Sequence, residues 1–139
     1  MENKFMSYDF NVARDETLLE DTIFYPIKNK TDDNSTRLKT GTAVKATYTV
    51  VCDITTKHKL SGQQMRNISN VIKAFFVLKG DEAVDEKKLS KFIKQETGIS
   101  VKVEFVSVGK QYETGFRPGI RVQTEVIDLL NVENNVAVD

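Results

Sequence analysis

The sequence has no tryptophan, one cysteine, one histidine and two prolines in 139 residues, and its 20 basic side chains are offset by 20 acidic ones. With Cys52 alone, an intramolecular disulfide and a thiolate zinc cluster are excluded. His58 has no second histidine or cysteine at ligand spacing, so it reads as a solvated residue rather than a zinc ligand. A formal net charge of zero removes the broad basic stripe with which proteins coat duplex DNA by charge alone. No stretch approaches the ~20 apolar residues of a membrane span. Glu2 and Asp9 interrupt the first apolar residues, so no signal peptide is expected, and the cytoplasm is the expected compartment. The phosphate-loop pattern GxxxxGK[ST] is missing too. Cys52 sits on the apolar face of a predicted strand with no adjacent base, which suits a core position rather than a nucleophile. The pairs Asp32-Asp33 and Asp85-Glu86 fall in a polar loop and at a helix start. No enzyme activity, cofactor or metal is therefore expected.

At 139 residues the chain is about one domain long by a prior of ~150 residues. Residues 1–20 read as an N-terminal arm, 21–130 as the folded domain and 131–139 as a polar tail. In the arm, Tyr8, Phe10 and Val12 share one face of an extended segment, and Ser7, Asp9 and Asn11 take the other. Two readings are open: an arm tucked along its own domain, or one lying on a neighbouring copy through Phe5, Tyr8, Phe10 and Val12. Thr22 to Lys28 is a short strand that Pro26 confines to an edge or a bulge. Asn29 to Thr36 is a loop, and a second strand starts near Arg37 and bends at Gly41. Val44, Ala46, Tyr48, Val50, Cys52 and Ile54 alternate with more polar residues, the pattern of a half-buried strand.

Ser61 to Gly80 is predicted helical. Met65, Ile68, Ile72 and Phe75 keep helical spacing, Ser61 and Gln64 fit a capping box, and Gly80 suits a stop. A second helix carries Leu89, Phe92 and Ile93 on one side and lysines on the other, and ends at Gly98. Two more strands follow, Ile99 to Phe105 and Ile120 to Val126, with Gly109 to Gly119 as a long hairpin connection. The fold class is thus mainly β with a helical insertion. Its order fits a five-stranded OB-like Greek-key barrel with helices between the third and fourth strands, an order that a sandwich or an α+β layer fold also produces.

Gly109 to Arg121 interleaves Tyr112 and Phe116 with Lys110, Arg117 and Arg121. Cations that follow phosphates and rings that stack on bases are what single-stranded nucleic acid requires. The same residues also fit a hairpin whose rings pack inward while its cations stay solvated. Lys57 and Lys59 form a second basic cluster at the end of the long strand. Lys45 faces opposite to Tyr48, and a one-residue change of register exchanges the two faces.

In element order and in this cationic-aromatic hairpin, the chain resembles the OB-fold single-stranded DNA-binding proteins of bacterial phages and conjugative plasmids, the PrgE type. The resemblance covers about Asp21 to Leu130. It implies a conjugation or phage setting, binding without catalysis, and side-by-side assembly along the strand, with the N-terminal arm as the contact. The weakly acidic end Asn135 to Asp139 departs from the acidic, apolar-tipped tails of housekeeping single-strand binders. The expected function is a largely sequence-independent binder of single-stranded DNA, or RNA, that self-associates on its ligand. The alternative is a phage or secretion-apparatus assembly protein that makes only protein contacts.

Overall fold

A computed structural model describes residues 4–26, 36–117, 120–123 and 127–128. Strands β1 (Lys4–Thr17), β2 (Thr22–Pro26), β3 (Thr36–Leu38) and β4 (Ala43–Thr56) precede helices α1 (Gly62–Lys79) and α2 (Glu86–Thr97). Strands β5 (Lys102–Arg117), β6 (Ile120–Gln123) and β7 (Ile127–Asp128) follow. A 3-10 turn, Gly80–Ala83, joins the helices. The chain is therefore mainly β with two helices inserted between β4 and β5. No helix among the described residues is long and apolar enough to cross a membrane.

Among the described residues, hydrogen-bonded neighbours run β1-β4-β5-β6-β2-β3, with β7 also on β5, and this path is not closed. The described residues hold seven strands rather than the five expected. The additional long strand is β1. Residues 4–17, expected as an arm, lie in the sheet beside β4. The stretch from Gly109 to Arg117, expected as a hairpin loop, is the second half of β5 and pairs antiparallel with β6, Arg117 opposite Ile120. Of the loop expected at Asn29 to Thr36, Thr36 instead opens β3 and residues 29–35 lie outside the described residues, as do the last part of the final strand at 124–126 and the tail 131–139.

The chain divides into two compact units, one of residues 1–12, 49–109 and 128–139, the other of residues 13–48 and 110–127. In the first, Val50, Cys52 and Ile54 of β4 lie buried, as do Ile68, Ile72, Phe75 and Phe76 of α1 and Leu89 and Ile93 of α2. Phe76 makes edge-on contacts with Phe10 and Phe105 at centroid distances of 6.1 and 6.0 Å, and Phe75 stacks on Phe92 at 4.8 Å. Such pairs add about 0.5–1.5 kcal/mol each beyond the area they bury. The run Phe75 to Leu78 is helical because α1 starts well: Gln64 N donates to Ser61 Oγ and Ser61 N to Gln64 Oε1, a complete capping box. Gly98 ends α2 with φ +78°, the left-handed conformation that favours glycine.

In the second unit, Leu18, Leu38 and Val44 form a buried cluster with Tyr112 packed against it. Leu18 N donates to Thr42 O at 2.9 Å and Gly41 N to Leu18 O at 2.8 Å, which fastens the end of β1 beside the start of β4. Tyr48 is wholly buried, so the register of β4 points Tyr48 inward and leaves Lys45 exposed.

Candidate nucleic-acid interface

Helix α2 places Lys87, Lys91 and Lys94 on one side by their spacing of four and three residues. Leu89 and Ile93 hold the other side in the core, so the lysine side faces outward. Asp85 caps the helix by accepting from Lys88 N at 3.0 Å. Two side chains then fasten α2 to β5 and to the residue before it: Glu86 Oε2 accepts from Phe105 N at 2.8 Å, and Ser90 Oγ donates to Val101 O. The groove between them measures about 550 Å³ and is lined by Lys87, Lys91, Lys94, Ser100 and Lys102 among others. Its one acidic lining residue, Glu86, is tied to the backbone.

A second groove, about 450 Å³, shares Ser100, Val101 and Lys102 with the first and adds Lys57 and His58 from the turn after β4. Thr56 Oγ1 donates to Ser100 O at 2.9 Å and His58 N donates to Thr56 Oγ1 at 3.2 Å, which sets the end of β4 against that shared wall. Lys94 Nζ donates to Ser100 Oγ at 2.6 Å, so Ser100 positions one ammonium group between the two grooves. Five lysines therefore line a pair of adjoining grooves in one unit. Ammonium groups are compact point charges on flexible stems, suited to phosphate oxygens and indifferent to base identity.

Of the residues expected at a nucleic-acid site, Lys57 lines the second groove and Lys59 is exposed in the same turn. Lys45 is exposed in the other unit and lines neither groove. Lys110 corrects the expectation of a phosphate contact: its side chain is 3% exposed, with Nζ 2.9 Å from Glu16 Oε1. Tyr112 is half-buried, one side on the Leu18 cluster and the Lys110 ammonium 4.6 Å from its ring centre, a poor platform for a base. Phe116 and Arg117 lie on β5 and Arg121 on β6, and their side chains fall outside the described residues.

Among the residues expected in self-association, Phe5 is exposed, Val12 is half-buried and Tyr8 is half-buried with its hydroxyl donating to Met65 O at 3.1 Å. Phe10 is in the core against Phe76, which removes it from any free arm.

The groove lysines of α2 and Lys102 were not expected as site residues. Their signal was present as cations at i, i+4 and i+7, a pattern also produced by an ordinary solvated helix face. Cys52 is buried, and burial, with a smaller contribution from the Asp53 carboxylate, pushes its thiol up to about 12. Burial, then Cys52, also raises the Tyr8 phenol. A thiol held protonated in this way is a poor nucleophile. Among the described residues, no three His, Cys, Asp or Glu side chains are placed to hold a metal ion. In comparisons with protein-family models, with curated proteins and with solved structures, nothing matches the chain.

Proposed function

We propose that the protein binds single-stranded DNA without catalysis and largely independently of sequence, with the phosphate backbone in the two lysine-lined grooves beside α2. The observation that supports this most is the gathering of Lys57, Lys87, Lys91, Lys94 and Lys102 around the Ser100–Lys102 wall. Zero net charge is compatible with it, because the cations are concentrated locally and the footprint is short. A short footprint suits a flexible single strand better than a rigid duplex, which needs an extended basic surface. The seven-strand sheet serves as it stands, and a closed five-stranded barrel is not required. A cytoplasmic setting goes with this reading. Self-association through a free N-terminal arm is not part of the proposed function, since β1 is a strand of the sheet and Phe10 is in the core.

The test is fluorescence anisotropy of a labelled mixed-sequence oligonucleotide of about 60 nucleotides, long enough for several sites, against a duplex of equal length. The single strand should bind more tightly. Its affinity should fall with salt at a log–log slope of about −3.5, five lysines each displacing ~0.7 counterion. No retention of either ligand at low salt would overturn the proposal in favour of a protein-contact role.

A further inference from the structure

The second groove, with Lys57 and Lys102 in its wall, also contains the chain's one histidine. His58 is exposed, and its backbone is what anchors it: His58 N donates to Thr56 Oγ1, whose hydroxyl in turn donates to Ser100 O. That relay holds residue 58 at the wall the two grooves share. The imidazole itself makes no hydrogen bond or ion pair with a described residue. The charged groups around it are cations. Lys57 and Lys59 flank it in the turn, Lys102 comes from the start of β5, and Lys94 of α2 reaches the same wall through Ser100. Asp53 and Glu104, the carboxylates nearest along β4 and β5, line neither groove, and the first turn of α1 carries no acid.

We infer that His58 is a further phosphate contact in this groove, and that the complex takes up a proton from solvent onto its ring as the DNA strand binds. This rests on the proposed binding of single-stranded DNA. A phosphodiester on Lys57 and Lys102 brings oxygen acceptors to the groove, and an imidazolium donates from both ring nitrogens where a neutral imidazole donates from one. The bound state therefore favours the protonated ring, and by linkage the affinity rises as pH falls. Histidine is the side chain that ordinarily changes charge between pH 5 and 8, and with one in the chain the coupling belongs to one residue. Lysine ammonium groups keep their charge across that range. His58 thus adds a pH-dependent cation to a phosphate track whose other cations are fixed.

The experiment measures the affinity of the full chain for rhodamine-labelled oligo-dT at pH 7.5 and at pH 5.5, at fixed ionic strength. Thymine and the phosphodiester keep their protonation states over this range, so a change in affinity reports on the protein. Affinity should be about fivefold higher at pH 5.5, the scale of one exposed ion pair, and the salt slope steeper by up to ~0.7. His58→Gln should flatten both differences, and His58→Lys should hold the tighter binding at either pH. His58 is exposed and the hydrogen bond that anchors it is made by the backbone, so both replacements should keep the fold, checked by circular dichroism. Equal wild-type affinity at the two pH values, or a pH dependence that survives His58→Gln, overturns the protonated contact while lysine-dependent binding stands. Absence of binding at both pH values overturns the proposed function and this contact together.

Discussion

The ammonium of Lys110 on β5 lies 2.9 Å from the Glu16 carboxylate on β1, with the ring of Tyr48 on the intervening β4 beside it at 5.4 Å. Tyr48 Oη donates to the same carboxylate at 2.7 Å and Arg14 Nη1 donates at 3.0 Å. One acid thus collects donors from three neighbouring strands, which fixes their register in a place where a slip would bury an uncompensated charge.

The two partners should differ in what their loss costs. Glu16→Gln leaves the buried Lys110 charge without its carboxylate and should cost about 3–5 kcal/mol. Lys110→Met keeps an apolar stem of similar length and leaves Glu16 to Arg14 and Tyr48, so it should stay within about 1 kcal/mol of wild type. Equilibrium urea unfolding measures both. Equal costs would contradict the assignment of the asymmetry to charge.

Cys52 supplies a pH dependence. Its thiol is pushed up to about 12 in the fold, by burial first and by Asp53 second, against about 8.5 in an unfolded chain. Above that lower value the unfolded state releases a proton that the native state retains, so stability present at neutral pH is lost as pH rises toward 12. The slope from this group is at most about 1.4 kcal/mol per pH unit. Urea midpoints between pH 8 and 11 should fall less steeply in Cys52→Ala, and a thiol reagent at pH 8 should label Cys52 only on unfolding.

Helix ends give a third expectation. Ser61→Ala removes the acceptor for Gln64 N and should cost about 1 kcal/mol. At Gly98 an added Cβ meets nothing within 4 Å, so Gly98→Ala should cost only the left-handed backbone penalty, about 1–2 kcal/mol. Thermal melts of the two variants provide the comparison.

The helices and β4 were legible because their signals are local: Ser61 with Gln64, Gly98, and the even-numbered apolar run from Val44 to Ile54. The alternation of Tyr8, Phe10 and Val12 was legible too, but nothing local says that the partner strand begins at Ala43. Lys110 was misplaced for a different reason. Val103 and Phe105 are buried, Val106 and Ser107 are both exposed, and Val108 and Lys110 are buried again, so the alternation changes parity partway along β5. A shift of this kind, like a bulge, turns every later side chain to the opposite face, and the sequence carries no mark of it. The glycines at 109 and 115 suggested a loop, whereas both lie in β5, the second within the irregularity between Thr114 and Arg117 in the pairing with β6. At the candidate site the lysines were visible as a helical stripe. Their meeting with Lys57 and His58 depends on Ser100 and Thr56 joining segments more than forty residues apart.

The most direct measurement is the salt dependence of single-stranded DNA affinity for the wild type beside Lys91→Glu/Lys94→Glu. Both side chains are exposed on α2, so the double variant should fold. The expected result is a weaker complex whose log–log slope is shallower by about 1.4, two phosphate contacts at ~0.7 each. Wild-type affinity and slope retained by a folded double variant would contradict binding in the grooves beside α2.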